Sequence, residues 1–300
     1  MKKYTLRHKL ISFLRDIDIK GVRIIAYYLP KLIIPKPTKA LLIETLYGFN
    51  IYIDPVIDNG VEKSIYYTGT YEKGTLDIIQ SMLQKGDVFV DVGANIGLMS
   101  ILAAKSVGDT GKVISFEPNP KTRDVLEQNI AVNTISNIQV SKFAIGNKIE
   151  ETKIYDRWDS NRGSASLIKP DYETDSYTIN TITLNDFFKT NKTKIRMIKL
   201  DIEGYELEAL KGAKEILETQ TPMLIVECSN MRENYEQSSN LMIYSFLKSI
   251  NKYRFYKLSG SKEKKSKLQE IYSEKDIPAH DNIFCFSEND FKQIPSLLLL

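Results

Sequence analysis

The chain has 300 residues, 42% hydrophobic and 26% charged, the balance of a globular protein with one sizeable core. Its formal net charge of only +3 excludes the strong basic excess of a nucleic-acid binder. Two cysteines, Cys228 and Cys285, exclude a disulfide framework and read as small buried strand residues in a reducing compartment.

Basic residues are concentrated at the start: Lys2, Lys3, Arg7, Lys9, Arg15, Lys20, Arg23, Lys31, Lys36 and Lys39, against Asp16 and Asp18. Between them Leu6, Leu10, Phe13, Leu14, Ile17, Ile24, Ile25 and Tyr28 recur at near-helical spacing. That pattern predicts one or two amphipathic helices over 5–29. They form either a cap with a solvated basic face or a helix lying on an anionic membrane surface, which would make residues 1–36 a peripheral membrane contact. The apolar run 24–30 is far below the roughly 20 residues that span a bilayer. No signal-peptide pattern is evident, so a cytoplasmic location, with membrane association open, is the expectation. Pro30, Pro35 and Pro37 should end the helix and begin a linker.

Residues 41–55 read as a hairpin around Gly48, and 71–83 as a helix. From residue 87 strands and helices alternate: strand 88–92, helix 96–106, strand 112–116, helix 121–132 and a short strand at 138–140. Residues 142–191 hold short β-like runs and a polar stretch. Strand 195–200, helix 204–217, strand 223–227, helix 240–249, strand 253–258 and strand 283–286 complete the order, with 261–267 a Lys-rich solvated loop. Such alternation predicts a doubly wound α/β sheet. The division expected is a basic helical segment (1–40), a hairpin and helix (41–85), a nucleoside-binding domain (86–290) and a tail (291–300).

The strand 88–92 runs into Gly93-Ala94-Asn95-Ile96-Gly97, a small-residue turn whose glycines permit positive φ and close approach to a ligand. Glu117 ends the next strand about 20 residues later, where a carboxylate can accept both ribose hydroxyls. A dinucleotide loop wants a second glycine where Asn95 stands. Asp91, two residues before Gly93, suits a cationic amino-acid ligand instead. The loop therefore favours S-adenosylmethionine over NAD.

With these residues in view, the chain resembles the FkbM-type methyltransferases. The resemblance rests on the run 89–97, on Phe116-Glu117-Pro118, and most specifically on 198–206 with 210–213; Tyr71-Glu72, Glu227 and 282–284 also fit. It implies a Rossmann-like class I methyltransferase fold, with a seven-stranded, mostly parallel sheet, its last strand antiparallel, and helices on both faces. It further implies transfer of methyl from S-adenosylmethionine to a hydroxyl of a sugar, glycan, lipid or natural product. The residues expected at the cofactor are Glu72, Asp91, Gly93, Ala94, Asn95, Gly97, Glu117, Pro118, Asn119, Ala144 and Asp201.

Methyl transfer to oxygen requires alignment of acceptor oxygen, methyl carbon and sulfur, and a group to receive the hydroxyl proton. Asp201 is the first candidate for orienting the acceptor or acting as base, with an N-cap of helix 204–217 as its alternative. Glu203 and His280 are further catalytic candidates, His280 being otherwise structural or solvent-facing. Asp201 and Glu227 at adjacent strand ends are a candidate Mg²⁺ pair, or simply hydrogen-bonded carboxylates. No Asn-Pro-Pro-Tyr run follows strand 195–200, which favours oxygen as the acceptor atom. Trp158, Asn161, Arg162, Ser164, Ser166 and Tyr172 offer groups suited to a small-molecule or glycan acceptor, or form a surface loop.

Rival readings are a non-catalytic nucleotide-fold module, disfavoured because Asp91, Glu117 and Asp201 are all present; an NAD-dependent oxidoreductase, disfavoured by Asn95; and an RNA methyltransferase, for which no basic stripe is evident.

Overall fold

The computed structural model describes residues 5–17, 19–156, 162–190, 193–229 and 239–300. The chain opens with α1 (Thr5–Asp16) and α2 (Lys20–Ile33), which bury His8, Ile11, Ala26 and Pro30 against the body of the protein. Pro30 does not end the second helix. Its missing N–H removes one bond, but its carbonyl still accepts the Ile34 N–H at 3.0 Å, so the helix closes one more turn. The expected hairpin forms from β1 (Leu41–Glu44) and β2 (Asn50–Ile53), paired antiparallel. The sequence pattern gave no sign of α3 (Val61–Thr68), which precedes α4 (Lys73–Met82). The latter starts two residues later than its periodicity suggests, because Glu72 takes a positive φ of 48° and cannot be helical.

The remaining chain builds the main sheet: β3 (Val88–Val92), α5 (Leu98–Val107), β4 (Lys112–Phe116), α6 (Pro120–Val132) and β5 (Ile138–Ser141) come first. A small excursion follows, β6 (Ala144–Ile145), β7 (Glu150–Tyr155) and β8 (Ser176–Ile182), which pair in the order β6-β8-β7 as a separate sheet. Then come α7 (Leu184–Phe188), β9 (Met197–Leu200), α8 (Glu206–Gly212), α9 (Lys214–Gln220), β10 (Met223–Ser229), α10 (Ser239–Ile250), β11 (Arg254–Leu258), β12 (Leu268–Glu270), β13 (His280–Phe286) and α11 (Glu288–Phe291).

The main sheet runs β12-β11-β13-β10-β9-β3-β4-β5. It is parallel from β10 through β5, while β13 lies antiparallel to both of its neighbours. Among the described residues eight strands stand where seven were expected. The extra one, β12, is three residues long and pairs antiparallel with β11, too short to show an alternating pattern. Helices cover both faces, and the strand residues alternate between two cores: Phe89 belongs to one, and Val88, Val90 and Val92 to the other. Both cysteines are free and buried in strands, as expected.

The single helix expected over 204–217 is two, divided at Ala213. Gly212 explains the close seating of the first: a Cβ there would lie 1.9 Å from the Gly146 carbonyl oxygen. The tail also packs, with Leu298 buried and the Leu300 N–H bonded to the Leu268 carbonyl at 3.0 Å.

Candidate functional site

Beyond the carboxyl ends of β3, β4, β9 and β10 lies a cleft open to solvent at its mouth, where open α/β sheets hold their ligands. Gly93, Asn95, Glu117, Pro118, Ala144, Asp201, Glu203 and Glu227 line it. Tyr71, Phe116, Phe143 and Tyr205 supply aromatic walls, and Arg162, Ala165, Ser166 and Leu167 close one side. Of the other residues expected there, Trp158 and Asn161 lie outside the described residues, Ser164 is not on the lining, and Tyr172 is exposed on the surface.

The glycine loop works differently from its sequence reading. Gly93 and Gly97 do adopt positive φ, 84° and 92°. Yet a Cβ on Gly93 would sit 1.9 Å from the Asp201 carbonyl oxygen, and one on Gly97 would sit 2.5 Å from Leu126. These glycines bring chain segments together; the space they free is filled by protein. The Gly93 and Ala94 N–H groups both donate to the Phe116 carbonyl at 3.0 Å, which ties the loop to the end of β4. Gly97 and Ala94 consequently do not line the cleft.

Glu117 is 7% exposed. Its Oε2 accepts the Asn95 N–H at 2.9 Å and its Oε1 the Asn119 N–H at 3.0 Å. Burial pushes its carboxyl up to about 7, partly offset by those two N–H donors. Each oxygen keeps a second lone pair for a ligand on the cleft side. Asn119 itself is buried and caps α6. Among the described residues the Asn95 Oδ1, Asn119 Nδ2 and Asp91 Oδ1 atoms are buried without a protein partner, and Asn95 is on the lining. A polar ligand beside Glu117 fits this arrangement, because buried polar atoms rarely stay unpaired.

Asp91 is fully buried and not on the lining. Its Oδ2 accepts the Ser100 hydroxyl at 2.5 Å, and Lys199 stands directly opposite it across β3 and β9. Its other oxygen, Oδ1, has no partner among the described residues. Burial raises its carboxyl and the Lys199 ammonium works against the rise.

At the other end of the cleft three carboxylates converge. Glu72, Asp201 and Glu227 each present an oxygen within 4.8 Å of the other two. They do not face one another unscreened. Lys262 Nζ lies 2.6 Å from Glu72 and 2.9 Å from Glu227, and Lys199 Nζ lies 2.8 Å from Asp201. Asn282 Nδ2 donates to Glu72 at 3.0 Å and to Thr75 at 2.9 Å. Burial opposes ionisation of Asp201, but the Lys199 charge and a hydrogen bond from Glu227 outweigh it and hold Asp201 well below the usual range. The neighbouring Asp201 charge and then burial push Glu227 the other way, upward. The two carboxyls therefore titrate as one unit, with Asp201 the more acidic member. The donor chemistry would suit a divalent ion, but the Lys262 ammonium already bridges two of the three carboxylates, so these side chains fit an ammonium.

The sequence reading placed Glu72 at the cofactor and the loop 261–267 in solvent. Instead Glu72 is part of the carboxylate cluster, and Lys262 reaches into it from that loop, held where the Lys262 carbonyl accepts the Gly74 N–H at 2.8 Å. Lys199 also belongs to the cluster, and a lysine within the apolar strand β9 is the signal for it in the sequence. Asp201 is not an N-cap, since α8 begins at Glu206 after Tyr205. The N–H groups of Ile202 and Gly204 are taken instead by the buried Glu206 carboxylate, at 3.0 and 3.1 Å. Glu203, with φ 54°, lines the cleft, and its carbonyl accepts the Ser166 hydroxyl at 2.9 Å. His280 is exposed at the start of β13 and is not among the lining residues.

The family model described as the methyltransferase FkbM domain matches residues 91–255. Methyltransferase sdnD of Sordaria araneosa is 27% identical over 52% of this chain and 70% of its own length. The hexuronic acid methyltransferase AglP of Haloferax volcanii is 28% identical over 49% of this chain, which spans 59% of that relative. Among solved structures, the methyltransferase FkbM of Methylobacillus flagellatus aligns with a TM-score of 0.44 and 19% identity, over 68% of this chain and 44% of that one.

Proposed function

This chain belongs to the FkbM methyltransferase family, a family that uses S-adenosylmethionine, and we propose that it methylates a hydroxyl oxygen of a sugar or other hydroxylated small-molecule or glycan acceptor. The observation that carries this reading is the two-ended cleft: a ribose-competent carboxylate, Glu117, at one end and the Asp201–Glu227 pair at the other, on one continuous lining. The name of the relative that acts on a hexuronic acid supports a sugar-type acceptor. Bound S-adenosylmethionine supplies an electrophilic methyl on sulfonium sulfur; the carbon–sulfur bond breaks as the carbon–oxygen bond forms. Glu117 orients the ribose and Asn95 offers an amide oxygen beside it. Ionised Asp201 accepts the hydrogen bond of the acceptor hydroxyl and aligns its lone pair, and the proton released as the ether forms passes to solvent at the open mouth of the cleft. Glu227, Lys199 and Lys262 keep Asp201 fixed and charged. Glu203 and Tyr205 border the acceptor end, as do the aromatic walls that suit a sugar face.

The test is transfer of labelled methyl from S-adenosylmethionine to a panel of uronic acids, neutral glycans and small hydroxylated acceptors. Asp201→Asn should keep cofactor affinity while turnover falls at least ~10-fold, the loss of a charge-assisted hydrogen bond worth roughly 1.5–3 kcal/mol that aligns the acceptor. Full turnover by folded Asp201→Asn would remove this residue from the mechanism.

A further inference from the structure

Half of the large apolar side chains exposed among the described residues belong to α1, α2 and Ile19 between them. On α1 they are Leu6, Leu10 and Phe13, spaced i, i+4, i+7; on α2 they are Ile24, Tyr28 and Leu32, spaced i, i+4, i+8. Each set makes one stripe along its helix. Leu6, Phe13 and Leu32 are 81%, 64% and 79% exposed, whereas the opposite side of the same helices buries Ile11, Ala26 and Pro30. One face therefore holds the helices on the protein and another faces outward with side chains that water does not favour. A soluble surface rarely carries so contiguous an apolar area without a partner.

The charges say what that partner is. Lys9, Lys20 and Lys31 are exposed on the same two helices, with Arg7 and Arg23 beside them. Asp16 is the one acid of these helices among the described residues, and it is turned inward to Lys73 and to the Lys265 N–H. Two copies of the chain stacked through this face would set like charges against one another. A surface of anionic phospholipid instead accepts the apolar stripes between its headgroups and the ammonium groups against its phosphates. Tyr27 and Tyr28 place amphipathic rings where headgroups meet acyl chains. We propose that the α1–α2 hairpin docks the protein peripherally on an anionic phospholipid bilayer. Among the described residues no helix is long and apolar enough to cross one, and the attachment proposed is interfacial.

The experiment uses the full chain and sedimentation with vesicles of phosphatidylcholine alone or mixed with phosphatidylglycerol. The protein should pellet with the mixed vesicles, remain in the supernatant with the neutral ones, and be released by added salt. Replacing Lys9, Lys20 and Lys31 together by Gln should weaken binding roughly a hundredfold, about fivefold for each, the equivalent of ~1 kcal/mol per basic side chain. Ile24→Ser with Tyr28→Ser should also weaken it, with the melting temperature unchanged because these side chains are exposed. Equal pelleting with neutral and anionic vesicles, or none with either, overturns the proposal without recourse to any variant. So does light scattering that finds a stable dimer which Ile24→Ser with Tyr28→Ser dissolves.

Discussion

Replacing Lys262 by Met tests whether the carboxylate cluster is balanced as its geometry indicates. Met keeps most of the aliphatic stem and removes the ammonium that stands 2.6 Å from Glu72 and 2.9 Å from Glu227. The Glu72 side chain is 1% exposed, so water cannot replace the lost partner; the Lys262 side chain is 18% exposed, so some screening reaches that position. Removing one member of a buried ion pair costs about 3–5 kcal/mol, and the partial exposure of the lysine puts the expectation near the lower end, about 3 kcal/mol. For a chain of this size that is a fall of roughly 6 °C in melting temperature. Glu72→Gln added to Lys262→Met should recover most of the loss, because the amide no longer needs a counter-charge. Thermal melts of the two single variants and the double variant give the coupling directly. Turnover of Lys262→Met should fall as well, since Asp201 and Glu227 lose a shared neighbour. A melting temperature within about 1 °C of wild type, or strictly additive single and double variants, would show that the ammonium is not what holds the cluster.

Glu117→Ala should weaken S-adenosylmethionine binding at least ~10-fold by calorimetry, because a hydrogen bond to a charged group contributes roughly 1.5–3 kcal/mol and about 1.4 is a factor of ten; unchanged affinity in a folded variant would mean the carboxylate faces elsewhere. Gly93→Ala forces a side chain into a φ of 84° and against the Asp201 carbonyl, so a loss of more than the ~1–3 kcal/mol of backbone strain alone is expected in denaturant titration. Glu206 is pushed up to about 7, first by burial and against its own backbone hydrogen bonds. A raised carboxyl binds more protons folded than unfolded, so its stability contribution is full below the unfolded value near 4.5 and is lost as pH rises through about 7. Glu206→Gln retains an oxygen for the two N–H groups, and its melts should lose that decline, gaining on wild type by about 3 kcal/mol at pH 8; parallel pH profiles would refute this.

The alternating strands and helices from residue 87 onward were legible because each core strand is buried on both faces and each helix carries one apolar side. That Glu117 lines the cleft is legible as well, since it is a carboxylate at a strand end after a glycine turn. The glycines were read as room for a ligand, whereas Gly93 and Gly97 make room for Asp201 and Leu126; which atom fills a glycine's missing side chain is a tertiary fact that local sequence does not carry. Asp201 was found by its position but its partners were not. Lys199 lies two residues away on a strand, so a period-two pattern puts both on one face, and only the parallel register sets Asp91 opposite Lys199. Lys262 was invisible because Lys-rich loops are ordinarily solvated. Its distance in sequence from Glu72 is closed only when β11 takes its place beyond β13 in the sheet.

How such a loop is held in place follows from backbone contacts more than from its charges. The Gly74 N–H donates to the Lys262 carbonyl at 2.8 Å, and a Cβ on Gly74 would meet Leu258 at 2.8 Å and the Lys264 carbonyl at 3.0 Å, so the start of α4 accepts the loop only because residue 74 has no side chain. From the other side Asp16 at the end of α1 accepts the Lys265 N–H at 2.8 Å and pairs with Lys73 at 3.3 Å. The loop is thereby clamped between the opening helices and α4, and Lys262 projects from the clamped segment toward Glu72 and Glu227. The hairpin that carries the outward apolar stripes is also one jaw of this clamp. Lys262 therefore owes its place between Glu72 and Glu227 to α1 as well as to α4.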